Sequence, residues 1–315
     1  NRQSSDEPGV LKYPQGSTET MAMSMRTVGV RLGVLAVLAM VGMTVACASG
    51  GAGTGAAVAT ADTAPQGGRF VWHDLITRDA EASRKFYGDL LGWKFQQTKR
   101  EGRAYHLATS DGNLVGGIVQ LDADQPGPAA WLSYMTVPDL DSATAQVRAA
   151  GGRVLFEPRA VGAFNRVAIV SDPQGAALGL AEVTGKAAPD PAQPPVNQFF
   201  WMEYLAKDGP AALAFYKNLA GFESRVTASQ HGIDFHVLET QRPRAGLYQL
   251  PADATMVDPH WLPYVRVADP AAVAARAVAL GGTLLMAPRP EVRGGTLAVI
   301  GDPTGGAVAL QKWPL

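Results

Sequence analysis

Chemistry-bearing residues recur at matched places in this chain. An acid follows a tryptophan by two residues twice, as Trp72 and Asp74 in FVWHDL and as Trp201 and Glu203 in FFWMEY. A histidine follows an aromatic residue twice, as His106 after Tyr105 and His236 after Phe235, and a tyrosine repeats as Tyr134 and Tyr264. Alternate residues of a strand share a face, so each acid shares its tryptophan's face. On an inward, apolar face a carboxyl holds its proton more tightly, which suits general-base work at Asp74 and Glu203. An acid that only bonds a backbone N–H or an arginine would give the same pattern. His106 and His236 face a cavity or form part of the outer surface. Tyr134 and Tyr264 donate to a ligand or pack in a core with the hydroxyl at the rim. Trp72 and Trp201 serve as cavity walls or stack on a planar ligand. Asp74 with His106, and Glu203 with His236, could also hold a divalent metal, although no second carboxylate is visible in either set.

The elements that must position these residues come in duplicate. FVWHDLITRDAEASRKFYGDLLGW (70–93) lies over FFWMEYLAKDGPAALAFYKNLAGF (199–222) at an offset of 129, and residues 129–158 lie over 259–288 at an offset of 130. A period of that size marks a duplicated domain rather than a solenoid repeat. The length of 315 residues suits two domains. Each copy divides again into strand, helix and three strands, so the pattern βαβββ occurs four times. Asp79 and Asp208 read as helix N-caps and Gly92 and Gly221 as C-caps. A second helix is expected from about Ser142 to Ala150, closed by Gly151-Gly152. Asp172-Pro173-Gln174-Gly175 and Asp302-Pro303-Thr304-Gly305 read as turns feeding each copy's last strand. The fold class is α+β, with domain one over 69–185 (units 69–121 and 129–183), a Pro-rich linker over 186–196, and domain two over 197–313 (units 198–250 and 260–313). Composition agrees. Hydrophobic residues at 47% supply cores, whereas 35 Gly and 22 Pro disfavour a helical bundle. With 27 Lys and Arg against 28 Asp and Glu, no basic face for nucleic acid is expected, and a single Cys excludes an internal disulfide framework.

In this sequence of features (strand, Asp, seven residues to Phe-Tyr, helix, Leu-Gly-Trp, then Gly-Gly, Asp-Pro-x-Gly and a closing apolar strand) the chain resembles the vicinal oxygen chelate superfamily. That family includes glyoxalase I, bleomycin-resistance proteins and extradiol dioxygenases, and the resemblance covers nearly all of 69–313. It implies tandem domains in which two βαβββ modules form a curved, incomplete barrel around a ligand cavity. Metal-dependent members take a His from a module's first strand and a Glu from its last. Those positions fall here on Trp72, Trp201, Leu132, Leu262, Gly179 and Ala309, none of which binds metal through a side chain. A shift of one residue would bring in His73, opposite which domain two has Met202. No metal or other cofactor is therefore expected, with a divalent metal at Asp74, His106, Glu203 and His236 as the alternative.

Ahead of the domains, residues 32–46 form an uncharged apolar run preceded by Arg26 and Arg31, which reads as a bacterial signal segment over 21–47. Cys47 follows Thr44-Val45-Ala46, similar to a lipoprotein signal, so lipidation at Cys47 and a cell-envelope location are expected; secretion after Ala48 or an uncleaved anchor are the alternatives. Residues 48–68 read as a flexible tether, and 1–20 as sequence upstream of the true start. The functional expectation is an exported, membrane-anchored, monomeric protein that binds a small-molecule ligand in metal-free pockets. The alternative is a metal-dependent glyoxalase-type lyase or dioxygenase-like enzyme with unusual ligands.

Overall fold

The structure is a computed structural model that describes residues 67–314, apart from 101, 123–127, 162–163, 183–189, 192 and 231–232. The signal segment, Cys47 and nearly all of the tether lie outside the described residues.

Domain one runs β1 (Phe70–Thr77), α1 (Ala80–Leu91), β2 (Lys94–Arg100), β3 (Arg103–Ser110), β4 (Asn113–Gln120), β5 (Ala130–Val137), α2 (Leu140–Ala149), β6 (Arg153–Val161), β7 (Phe164–Ser171) and β8 (Ala177–Glu182). Domain two repeats it with β9 (Phe199–Ala206), α3 (Gly209–Ala220), β10 (Glu223–Gln230), β11 (Ile233–Glu239), β12 (Pro243–Gln249), β13 (His260–Arg266), α4 (Pro270–Ala279), β14 (Thr283–Met286), β15 (Leu297–Gly301) and β16 (Ala307–Gln311). Each domain is one mixed eight-stranded sheet, ordered β2-β3-β4-β1-β5-β8-β7-β6 in the first and correspondingly in the second. The first strands of the two modules pair antiparallel at the sheet centre, while β4 and β8 run parallel to them. The outer strands do not pair with one another, so each sheet is an α+β, incomplete barrel.

Local chemistry fixes the helices. The Asp79 and Asp208 carboxylates accept from the N–H of Ala82 and Ala211, and Gly92 and Gly221 close their helices in the left-handed region. The α2 helix starts at Leu140, two residues before the sequence suggests, because Asp139 caps it by accepting from Ser142 N–H.

The helix-side faces of the two sheets meet. One core joins Met135, Leu140 and Leu180 of domain one to Tyr204, Tyr216 and Trp261 of domain two; another joins Leu75, Phe86 and Trp93 to Val265, Ala277 and Ile300. Each first strand sends an aromatic ring across: Phe199 packs 5.1 Å from Trp131, and Phe70 packs 5.0 Å from Trp261. The Asp-Pro-x-Gly aspartates lock the contact. Asp172 accepts from its own turn's Gln174 and Ala176 N–H and from the Tyr204 and Tyr216 hydroxyls of domain two. Asp302 accepts from Thr304, Gly306 and, across the contact, Ser83 Oγ at 2.9 Å. The turn motif is therefore also an interdomain clamp. With these faces covered, the opposite, concave face of each sheet lies outside the domain contact.

Candidate ligand cavity

In domain one the concave face encloses a cavity of about 410 Å³. Its walls are apolar: Ile76, Val119, Leu132, Leu155, Val167 and Ile169, with Phe156 near the mouth. Exposed Arg159 lies over the Phe156 ring at 3.7 Å, and exposed Glu157 stands beside it. The inner end is polar and centres on Asp74, 1% exposed on β1.

Asp74 is surrounded by donors. Its Oδ1 accepts from Trp72 Nε1 at 2.8 Å and from the Tyr105 hydroxyl at 2.7 Å, and its Oδ2 is ion-paired with Arg100 Nη1 at 2.6 Å. The Tyr134 hydroxyl is shared between Asp74 and Arg100. The register explains the convergence, because Asp74 lies opposite Gly117 on β4 and Leu132 on β5, and Trp72 lies opposite Tyr134. Two glycines make the room. A Cβ on Gly117 would sit 2.0 Å from the Tyr105 hydroxyl, and one on Gly179 would sit 2.3 Å from the Tyr134 ring. Tyr134 thus fills the place next to the last strand where the family resemblance puts a metal-binding Glu. Burial and the neighbouring carboxylate push the Tyr105 and Tyr134 phenols far above their ordinary range, so both stay protonated donors. Burial opposes the charge on Arg100, but the Asp74 carboxylate outweighs it and holds the guanidinium firmly protonated.

Domain two has the same acid in a different setting. Glu203, 2% exposed, accepts from the Tyr264 hydroxyl at 2.9 Å and is ion-paired with Arg293 at 2.8 Å. Arg293 does not correspond to Arg100. It comes from the segment after β14, which ends at Met286, whereas its counterpart β6 continues for nine residues. That segment turns through Arg293, Gly294 and Gly295, all with positive φ, and packs Val292 into a core with Trp201, Leu262, Tyr264 and Leu297. Trp201 is buried with its Nε1 unbonded among the described residues, unlike Trp72.

The sequence brings Trp72, Asp74 and Tyr134 together in one site, and Trp201, Glu203 and Tyr264 in the other. It does not bring the histidines. His106 lies opposite Ile118 of the helix-side core, near Arg84 and Glu81 of α1, while Tyr105 takes the cavity side. His236 lies opposite Leu247, also in the helix-side core. The reading of His106 and His236 as cavity ligands is thereby corrected, and neither can share a metal ion with Asp74 or Glu203 across the sheet. His73 also faces the helix side, with Nδ1 2.9 Å from Ser133 Oγ. The general-base reading of Asp74 and Glu203 gives way to a second role, since both acids are engaged by arginine and tyrosine. Among the described residues no group of three His, Cys, Asp or Glu could hold a metal ion. Nor, among them, is any helix long and apolar enough to cross a membrane. Arg100, Tyr105 and Arg293 were missed. The arginines have no counterpart in the other copy, and Tyr105 was hidden beside His106 because both faces of β3 are buried.

The comparisons with known proteins agree with this architecture. Residues 69–180 and 198–310 match the family described as the Glyoxalase/Bleomycin resistance protein/Dioxygenase superfamily. CFP32 of Mycobacterium tuberculosis, whose name assigns it provisionally to the glyoxylases, is 30% identical over 245 residues, 76% of this chain and 93% of its own. The anthracycline biosynthesis protein DauV of Streptomyces sp. strain C5 is 32% identical over 265 residues, 76% of this chain and 92% of its own. Among solved structures, a Mn(II)-bound glyoxalase from Novosphingobium aromaticivorans superimposes with a TM-score of 0.55 at 14% identity, covering 79% of this chain and 83% of that one. Homoprotocatechuate 2,3-dioxygenase from Brevibacterium fuscum gives 0.54 at 16% identity, covering 78% and 81%. At such identities these two structures speak for the fold.

Proposed function

Because the chain belongs to the Glyoxalase/Bleomycin resistance protein/Dioxygenase superfamily, in two complete copies, we propose that it binds a small organic molecule in a metal-free cavity of domain one. The observation that carries this reading is the state of Asp74. Of the two acids that line the cavity among the described residues it is the buried one, and a guanidinium sits 2.6 Å from it. A divalent ion needs several N or O donors converging on one point. Here the convergent groups are Trp72, Tyr105 and Tyr134, two of them strongly protonated phenols, together with a cation. The residues present do not fit the metal of the Mn(II)-bound glyoxalase. In domain two Arg293 pairs with the inward acid Glu203, and Val292 packs in the neighbouring core.

A cavity of this size lies within the range of small-molecule sites, and its mainly apolar walls with a few fixed polar groups suit an organic ligand. Export and anchoring through Cys47 form part of the proposal. They rest on the apolar run 32–46 and the small residues before Cys47. The chain acts as a monomer, since each barrel is completed within one chain and the helix-side faces cover each other.

Two measurements test this. Elemental analysis of protein purified without chelator and then offered Mn, Fe, Ni and Zn should show no stoichiometric metal; retention that is lost in Asp74→Asn would establish the enzyme reading instead. Labelling with a palmitate analogue should mark the wild-type protein and not Cys47→Ala, and an unlabelled wild type would refute anchoring.

A further inference from the structure

The charges that line the cavity of domain one are unequal in number and in placement. Resting on the binding function proposed above, we infer that the ligand is an amphipathic organic acid, with its apolar body inside the cavity and its carboxylate at the mouth beside Arg159.

Five charged side chains line the cavity, Arg100, Arg103 and Arg159 against Asp74 and Glu157. Both acids are engaged by arginine. Asp74 is deeply buried and accepts from Trp72, Tyr105 and Arg100. Glu157 has a side chain 70% exposed and turns to Arg148 of α2, whose Nη2 lies 2.5 Å away and which is not part of the lining. Arg103 is paired at 2.9 Å with Asp122, an exposed acid that is likewise outside the lining. With Arg148 and Asp122 included, the arginines still outnumber the acids by one, in a chain whose net charge is −1. The positive excess belongs to this mouth and not to the surface at large.

Placement points to Arg159. It comes from β6, at the edge of the sheet, and its guanidinium lies over the Phe156 ring at 3.7 Å. Stacking takes up one face of a guanidinium and leaves its N–H groups directed outward in its plane, where a carboxylate can receive two of them. An acid held there keeps part of its hydration, so its charge is not carried into the apolar walls, which would be costly. The body behind it is buried against Leu132, Val119, Val167 and Ile169. A neutral ligand gains the same burial and nothing from the positive excess, and an ammonium group is opposed by it.

Three probes with one body and different ends test this on the full chain: 6-phenylhexanoate, 6-phenylhexan-1-ol and 6-phenylhexylammonium, with affinities from calorimetry. The acid should bind roughly fivefold to tenfold more tightly than the alcohol, the size of one charge-assisted bond at a partly exposed site, and the ammonium most weakly. The preference for the acid should shrink with added salt. In Arg159→Met acid and alcohol should bind alike, and in Glu157→Gln, which removes a negative charge from the mouth, the preference for the acid should grow. All binding should be lost in Val119→Phe or Ile169→Phe, each of which fills the cavity; whichever variant folds decides. Equal affinity for acid and alcohol in the wild type, or tighter binding of the ammonium, would overturn the acid assignment and leave the binding function standing. A preference that persists unchanged in Arg159→Met would overturn the placement at the mouth. If no probe binds, or binding survives once the cavity is filled, the binding function itself fails.

Discussion

Acid should destabilise this protein through a buried histidine. His73 is 7% exposed, its ring stacks 4.1 Å from Phe199 of the other domain, and its Nδ1 meets only the Ser133 hydroxyl. Burial without a counter-charge lowers its pKa from the ordinary 6.5 to about 3. The unfolded chain therefore takes up a proton below pH 6.5 that the folded chain refuses until about pH 3, so stability is complete above 6.5 and falls as the pH drops through that window. Each unit of pH in the window is worth about 1.4 kcal/mol. At pH 5, some 1.5 units below 6.5, the loss from this residue is about 2 kcal/mol. His106 and His260 are also lowered, chiefly by burial, so the whole protein should lose more than His73 alone accounts for. The assay is urea denaturation of wild type and His73→Asn at pH 7.5, 6.0 and 5.0; Asn keeps a polar contact for Ser133 and does not titrate. The difference in unfolding free energy between the two should shift by about 2 kcal/mol in favour of the variant between pH 7.5 and 5.0. Parallel pH curves, or a shift of opposite sign, would refute the assignment of His73 as a buried neutral imidazole.

Other substitutions probe the remaining joints. Arg100→Met should cost about 3–5 kcal/mol because it leaves Asp74 buried and unpaired, while adding Asp74→Asn should recover most of that; denaturant midpoints of the singles and the double give the coupling. Gly179→Ala drives a Cβ toward the Tyr134 ring, and the expected readout is a lower Tm. Asp172→Ala removes the acceptor of two buried tyrosine hydroxyls and should cost at least about 3 kcal/mol. Tyr216→Phe should cost less, because Tyr204 still reaches Asp172, and a pair of equal losses would contradict the clamp. Arg293→Ala should lower stability because it leaves Glu203 buried without its cation, and an unchanged denaturant midpoint would contradict that pairing.

The fold was legible because its signals are local or repeated. Asp79 and Asp208 cap helices by bonds made within three residues, and Gly92 and Gly221 end them with backbone only glycine adopts freely. The 129- and 130-residue offsets needed no knowledge of contacts. The site was legible only in part, since Trp72, Asp74 and Tyr134 lie on the two strands at the sheet centre. The histidines went astray for a physical reason. Alternation reveals the inner face of a strand when the other face meets water, but β3 has the helix-side core behind it and the cavity in front. His106 and Tyr105 are both buried, so neither polarity nor size distinguishes their faces. Arg100 and Arg293 were out of reach because a long side chain can join a cluster from a strand edge or a loop, 26 and 90 residues from the acid it pairs with.

The two copies also explain what the inward acid is for. In both copies the acid is buried and ion-paired, Asp74 with Arg100 and Glu203 with Arg293. What the copies share is an acid that holds a guanidinium against a tyrosine, Tyr134 in one and Tyr264 in the other. The arginine itself differs in origin, from β2 in the first copy and from the turn after β14 in the second. A carboxylate buried at the centre of a sheet needs a cation, and each copy has met that need with whichever segment lay in reach. In domain one it leaves an arginine, paired with its acid, in the lining of a cavity of about 410 Å³, so an acid required by the sheet also holds a cation at the wall of that cavity.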